Sequence, residues 1–279
     1  MKRVILLTAI VAVTCMFTGC EQNTNEPELL KGLFSVSATK QVMFAPGNLQ
    51  YTQSTQTWSF AAEQYKFIGI ANVTNCYGLA DKIDLFGWSG NTGEAKWGVS
   101  TSASIYAYSG DFLDWGKDFG DGMTWRTLTK DEWGYLLGAR TNAASLKGIA
   151  RILLGKDEYA NGLILLPDNW EAPAGVTFKS GFSREWGVQA YADYQTFTLV
   201  EWRKLEAAGA VFLPASGIRG GSDVYGVQDY GNYWSATSYD YDDHVYCAHP
   251  LLFDSRAMGI FEKYRCYGYA VRLVQDITD

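Results

Sequence analysis

Residues 4–17 form a mostly apolar run, interrupted by Thr8 and Thr14, behind Lys2 and Arg3, and the small residues Thr18 and Gly19 lead from it to Cys20. The run is too short to span a bilayer and has the charged, apolar and small regions of a secretory leader in order. Residues 21–28, EQNTNEPE, are polar and include Pro27, the composition of a flexible tether. From residue 32 the pattern becomes short apolar–polar alternation. GLFSVSATKQVMFAPGNLQYTQSTQTWSFA, residues 32–61, is rich in Val, Phe, Tyr and Thr and predicts two or three strands with a turn at Pro46-Gly47-Asn48. Residues 69–122 are rich in Gly, Trp and Asp without helical period, and read as long ordered loops pinned by Trp88, Trp97 and Trp115.

Two segments carry a helix start. In WRTLTKDEWGYLLGAR, Thr129 can cap the first turn while Glu132 returns a bond to the Thr129 N–H, and Trp133, Leu136 and Leu137 form an apolar stripe. In TLVEWRKLEAAG the same box recurs at Thr198 and Glu201, Trp202 and Leu205 line the inner face, and Gly209 stops the helix. GLILLPDNW (162–170) and AVFLPASG (210–217) read as buried strands, and the alternating AVRLV (270–274) as a closing one. The expectation is a leader over 1–20, a tether over 21–31 and one α+β domain over 32–279, with a small N-terminal β unit to about residue 70 as the alternative division.

Composition adds exclusions. The chain has 279 residues, 47% hydrophobic, enough for a sizeable core. Formal charge is -7, and without residues 1–20 it is -9, from 21 bases against 30 acids, which disfavours a nucleic-acid partner bound through phosphates. There is no Walker loop, HExxH, GxSxG or paired CxxC, and the two histidines are His244 and His249, so most metal and triad chemistry is removed and no enzyme is expected. With Cys15 in the leader and Cys20 at its end, Cys76, Cys247 and Cys266 remain. A Cys247–Cys266 disulfide would be worth roughly 3 kcal/mol on the chain-entropy model; the alternative is three small buried apolar residues.

Several motifs carry resemblances. Phe17-Thr18-Gly19-Cys20 resembles the lipobox of bacterial lipoproteins, which implies that Cys20 is acylated and that the protein sits in the cell envelope as a surface-exposed outer-membrane lipoprotein. WRTLTKDEW (125–133), VFLPASGIRGG (211–221), GNYWSAT (231–237) and GYAVRLV (268–274) together resemble the C-type-lectin-like modules of bacterial surface lipoproteins, including fibrobacter major-paralogue domains and, more distantly, formylglycine-generating enzymes. The opening FSVSATKQVMFAPGNLQY is similar to that of gut-bacterial lipoproteins of this kind. The resemblance implies a C-type-lectin-like fold with twisted antiparallel strands, two flanking helices, paired terminal strands and a loop region that presents a ligand face. The departures are specific: eighteen residues separate Cys247 from Cys266, unlike the close cysteine pair of the oxidases, and the Glu-Pro-Asn and Trp-Asn-Asp signatures of calcium-dependent sugar binders are absent.

Between those framework motifs, residues 238–269 crowd Tyr, Asp, His, Cys and Arg, a composition that gives large contact area at low entropy cost together with adaptable hydrogen bonds. The block resembles the variable proteins of diversity-generating retroelements. The expected ligand-binding residues are Trp234, Tyr239, Asp240, Tyr241, Asp242, Asp243, His244, Tyr246, His249, Arg256, Tyr264 and Tyr267, facing a protein or glycan, with the membrane met only through the lipid on Cys20. An ordinary Tyr- and Asp-rich loop is the competing reading. Asp240, Asp242 and Asp243 could suit calcium, but EF-hand spacing is not met, so no cofactor is expected. Cys247 with His244 or His249 offers a nucleophile and base without an orienting partner. Arg219, set among glycines, reads as a structural ion pair or stacking contact rather than an anion receptor. The other functional readings are a cysteine-dependent oxidase of the formylglycine-generating kind and a structural component of a surface fibre.

Overall fold

An early strand, the second of the described chain, and the last one close the molecule. Gln41–Phe44 runs antiparallel to Val274–Asp276 with Phe44 opposite Val274, and Val274–Asp276 pairs on its other edge with Trp125–Arg126. A computed structural model describes residues 30–74, 78–88, 93–118, 125–180, 194–239 and 246–277. The leader, Cys20 and the tether through residue 29 therefore lie outside the described residues, as do Cys76 and residues 240–245. Among the described residues no helix is long and apolar enough to cross a membrane.

The architecture is mixed and strand-rich, α+β, with two short α-helices among the described residues. Helix α1, Lys130–Gly134, begins as the spacing predicts: the Thr129 hydroxyl accepts from the Glu132 N–H at 3.2 Å and the Glu132 carboxylate accepts from the Thr129 N–H at 2.9 Å. It does not continue as a regular helix under Leu136 and Leu137. A wide π turn, Tyr135–Ala139, follows, with the Arg140 N–H bonded back to the Tyr135 carbonyl, and it still delivers both leucines to the core. Helix α2, Leu199–Ala207, opens with the Thr198–Glu201 box and buries Trp202 and Leu205. Gly209, at φ 94°, takes the left-handed turn that ends it.

Helix α2 lies beside a four-stranded sheet in the order Gln195–Thr198, Lys147–Leu153, Tyr159–Leu165, Val211–Pro214. The first pair is parallel and the others antiparallel. Residues 32–61 give four short strands rather than two or three, and the expected loop region carries short 3-10 turns and two-residue strands. The closing segment starts its ladder only at Val274. Ala270 to Leu273 are nevertheless extended and bonded: Ala270 bridges Tyr233, and the Val271 and Leu273 carbonyls accept from the Leu49 and Ala45 amides.

Aromatic rings fill the core. Trp88, Trp115, Trp125, Trp234 and Tyr269 share one cluster with Leu49, Phe86 and Leu273, while Trp97 packs at its rim. Each indole removes roughly 150–250 Å² from water, which allows long irregular segments to be held without helices or wide sheets. Their polar handles are largely met: Trp88 donates to the Ser235 carbonyl, Trp115 to Trp97 and Trp234 to Phe86.

Four buried arginines tie the irregular segments together. Arg272 donates to Asn48 Oδ1, the Ala45 carbonyl and the Phe212 carbonyl at 3.1, 3.0 and 2.7 Å. Arg265 donates to the Cys247 and Gly110 carbonyls and lies 4.3 Å from the Trp88 ring centroid. Arg140 reaches the Leu136, Leu146 and Leu166 carbonyls as well as Asp168. Arg219 forms no ion pair among the described residues; its Nε donates to the Leu85 carbonyl, and its guanidinium lies close against Gly268.

Candidate functional site

Two three-stranded sheets come together near the C-terminal block. One is Asp223–Tyr225, Ile218–Gly220, Tyr267–Gly268; the other is Gly231–Tyr233, Leu251–Phe253, Met258–Ile260. Between them lies a groove of about 340 Å³ whose walls include Tyr225, Tyr230, Phe261 and Tyr267, with Asn232 and Lys263 as polar points. Tyr225, Tyr230 and Phe261 are 46%, 38% and 49% exposed, a high value for large rings that are not scattered singly but converge on one concavity. Tyr267 stacks on the buried Tyr269, with centroids 6.0 Å apart and planes 14° apart, which fixes the floor of the groove.

A second, more polar cleft of about 680 Å³ adjoins it and shares Tyr230 and Asp254. Its other walls include Arg151, Tyr159, Tyr194, Asp229 and Arg256. The turn that carries Asp229 and Tyr230 is shaped by Gly226 and Gln228, both at positive φ (64° and 71°). The Gln228 side chain holds this turn onto the Tyr159–Leu165 strand, accepting from the Asn161 N–H at 2.7 Å and donating to the Tyr159 carbonyl at 2.8 Å. Tyr194 is pushed up to about 12, by burial first and then by the negative charges of Asp229 and Asp254.

The ribbon expected to contact ligand is built from Ser238–Tyr239, Cys247–Ala248 and Lys263–Tyr264, with Tyr239, Cys247 and Tyr264 opposite one another. Tyr264 is exposed and Cys247 buried. Tyr246 packs edge-on against the exposed Tyr106 at 4.9 Å, and His249 packs edge-on against Tyr239 at 5.2 Å. The expected residues therefore spread over several surfaces rather than one pocket: Tyr267 in the aromatic groove, Arg256 in the polar cleft, and His249 in a separate depression beside α1. Asp240, Tyr241, Asp242, Asp243 and His244 fall outside the described residues.

One expectation needs correction. Trp234 is 1% exposed and donates its indole N–H to the Phe86 carbonyl, so it supports the face from beneath and cannot meet a ligand there. Cys247 and Cys266 are free and buried; burial, the largest influence on each, pushes both thiols up. Among the described residues no group of three or more His, Cys, Asp or Glu is placed to hold a metal ion.

Sequence reasoning missed Tyr225, Tyr230, Phe261, Arg151 and Tyr194. A signal existed for the first two, since DVYGVQDYGNY is a turn-rich stretch in which tyrosines flank glycine and aspartate. Nothing local marks Arg151, which lies more than sixty residues from the rest of its cleft apart from Tyr159, Asn161 and the segment at Tyr194 and Thr196.

No family model, curated protein or solved structure matches this chain.

Proposed function

We propose that this is a lipid-anchored protein of the outer membrane, exposed at the cell surface, whose C-type-lectin-like domain binds a protein or glycan without catalysis. The observation that carries this reading is the convergence of Tyr225, Tyr230 and Phe261, all substantially exposed, on one groove beside the Tyr239–Tyr264 ribbon. Aromatic rings on a fixed floor bring contact area with little ordering cost, the economy that binding surfaces use. The lipobox-like leader and the polar segment after it support the anchor, and the four framework motifs support the fold. The raised thiols work against a cysteine-dependent oxidase, which needs thiolate at neutral pH.

The test is binding of the labelled domain to glycan and protein arrays and to whole cells, repeated with Tyr225→Ala, Tyr230→Ala and Phe261→Ala combined. A loss of at least tenfold in the variant, with an unchanged melting temperature, is the expected result; full retention would remove the groove from the site. Comparing residues 238–269 between sibling strains checks the retroelement reading, for which changes confined to exposed positions are expected.

A further inference from the structure

The geometry points to a carboxylate-binding subsite at Arg151, so that the ligand of the groove is a saccharide bearing one carboxylate. This rests on the groove reading above and specifies its ligand. Arg151 stands on Lys147–Leu153, directly across from Asn161 on one side and Thr196 on the other, so these polar residues form a row along one sheet face. Its Nε donates to Asn161 Oδ1 at 2.8 Å, and its guanidinium lies 4.2 Å from the Tyr159 ring centroid and 5.7 Å from that of Tyr194.

Among the described residues these are its side-chain contacts, and no carboxylate forms an ion pair with it. Asn161 cannot turn away, because its Nδ2 donates to the Gln228 carbonyl at 3.0 Å. The guanidinium is thus oriented at Nε and flanked by two rings, and Arg151 lines a cleft wide enough for a sugar ring; no hydrogen bond among the described residues uses its terminal nitrogens, the pair that grips a carboxylate or phosphate in a fork. Preorganisation of this kind lowers the ordering cost of binding.

The rest of the lining narrows the class. Asp229 and Asp254 share the cleft and oppose a polyanion such as a phosphorylated ligand. Asp254 is already occupied, accepting from the Arg256 and Ala257 amides and pairing with the Arg256 guanidinium at 3.3 Å, and Asp229 is exposed and able to accept from hydroxyls. Tyr230 stands at the junction with the aromatic groove, where Tyr225 and Phe261 supply apolar wall for the C–H side of a neighbouring ring. One anionic head, several hydroxyls and an apolar ring face describe a uronic-acid-type or similar acidic sugar.

The experiment titrates the domain with a disaccharide ending in glucuronic acid and with its methyl ester, which differ by one charge. Wild type should bind the acid at least tenfold more tightly than the ester. Arg151→Gln should bind acid and ester with nearly equal affinity, and Arg151→Lys should keep part of the preference; an unchanged melting temperature guards against misfolding. Equal binding of acid and ester by wild type, both abolished by Tyr230→Ala, would overturn the subsite and leave the groove intact. Binding of neither sugar would overturn the saccharide assignment, and the array and cell assays then decide the groove independently. An undiminished acid preference in Arg151→Gln would also overturn it.

Discussion

Arginine does in this protein what regular secondary structure does in others. The guanidinium offers five donors in a rigid fork, and Arg272, Arg265 and Arg140 each direct two or more of theirs to backbone carbonyls, several of them outside any strand, such as those of Ala45, Gly110 and Leu166. The cost is visible at Arg272, which burial brings down to about 10, because Tyr233 and Glu206 oppose burial only in part and no carboxylate pairs with it among the described residues. Arg272→Met should therefore destabilise the domain by at least about 3 kcal/mol in denaturant titration, since three buried acceptors lose their donors at once. Arg272→Lys should rescue little, as one ammonium cannot span Ala45, Asn48 and Phe212. Asp84 is the opposite case: wholly buried, it accepts from the Ile68 N–H and Asn72 Nδ2 with no cation in its hydrogen bonds, and burial raises it to about 6. A carboxyl raised on folding stabilises most when protonated, so its contribution is present below about pH 4 and is lost as pH rises through 6. Asp84→Asn should flatten the stability profile across that window by up to about 3 kcal/mol, read as melting temperature at pH 4 and pH 6.5. None of this was legible in the sequence. Arg219, taken there for an ion pair or a stacking contact, bonds the Leu85 and Gly221 carbonyls instead, and the first of these lies more than a hundred residues away and leaves no local trace.

The helices were the most legible elements, and the reason is locality. A capping box spends its bonds within four residues, so Thr129–Glu132 and Thr198–Glu201 announce themselves without any tertiary information. Their weights differ. Burial pushes the Glu132 carboxyl up, but the Arg126 guanidinium, the Thr129 N–H and the Lys40 ammonium outweigh it and hold it below its ordinary value. Glu201 is held low by Thr198 alone to first order. Thr198→Ala should cost about 1 kcal/mol, and Thr129→Ala more, because it also frees Glu132 from the register in which it meets Arg126 at 2.7 Å; the comparison is a pair of urea midpoints. The π turn after Gly134 was not legible, since a stripe at 133, 136 and 137 suits a regular helix equally well. Strands were legible as alternation but not in number or length: most here run two to four residues, and their limits are set by partners from distant parts of the chain.

At the scale of the whole molecule, the terminal pairing matched what the framework motifs imply, while the groove and cleft had to be seen to be found. Their walls come from nine strands and from the turns at 229–230 and 254–257, and each ring looks in the sequence like any other aromatic residue. The ribbon residues expected from composition border that surface without defining it. The same long reach makes the C-terminus indispensable. A chain ending at residue 268 lacks Arg272 and the Val274–Asp276 strand, and should show neither a cooperative melt nor resistance to protease.

That dependence has a consequence for timing. The bonds from Arg272 to Ala45 and Asn48 join residues more than two hundred and twenty positions apart, and Arg265 and Arg219 span more than a hundred and thirty. Closing loops of that length is slow, and the longest of them cannot begin until Arg272 has been made. A nascent chain of this protein thus leaves the ribosome with its lock unfastened, and the domain sets only once Arg272 has emerged and met Ala45, Asn48 and Phe212.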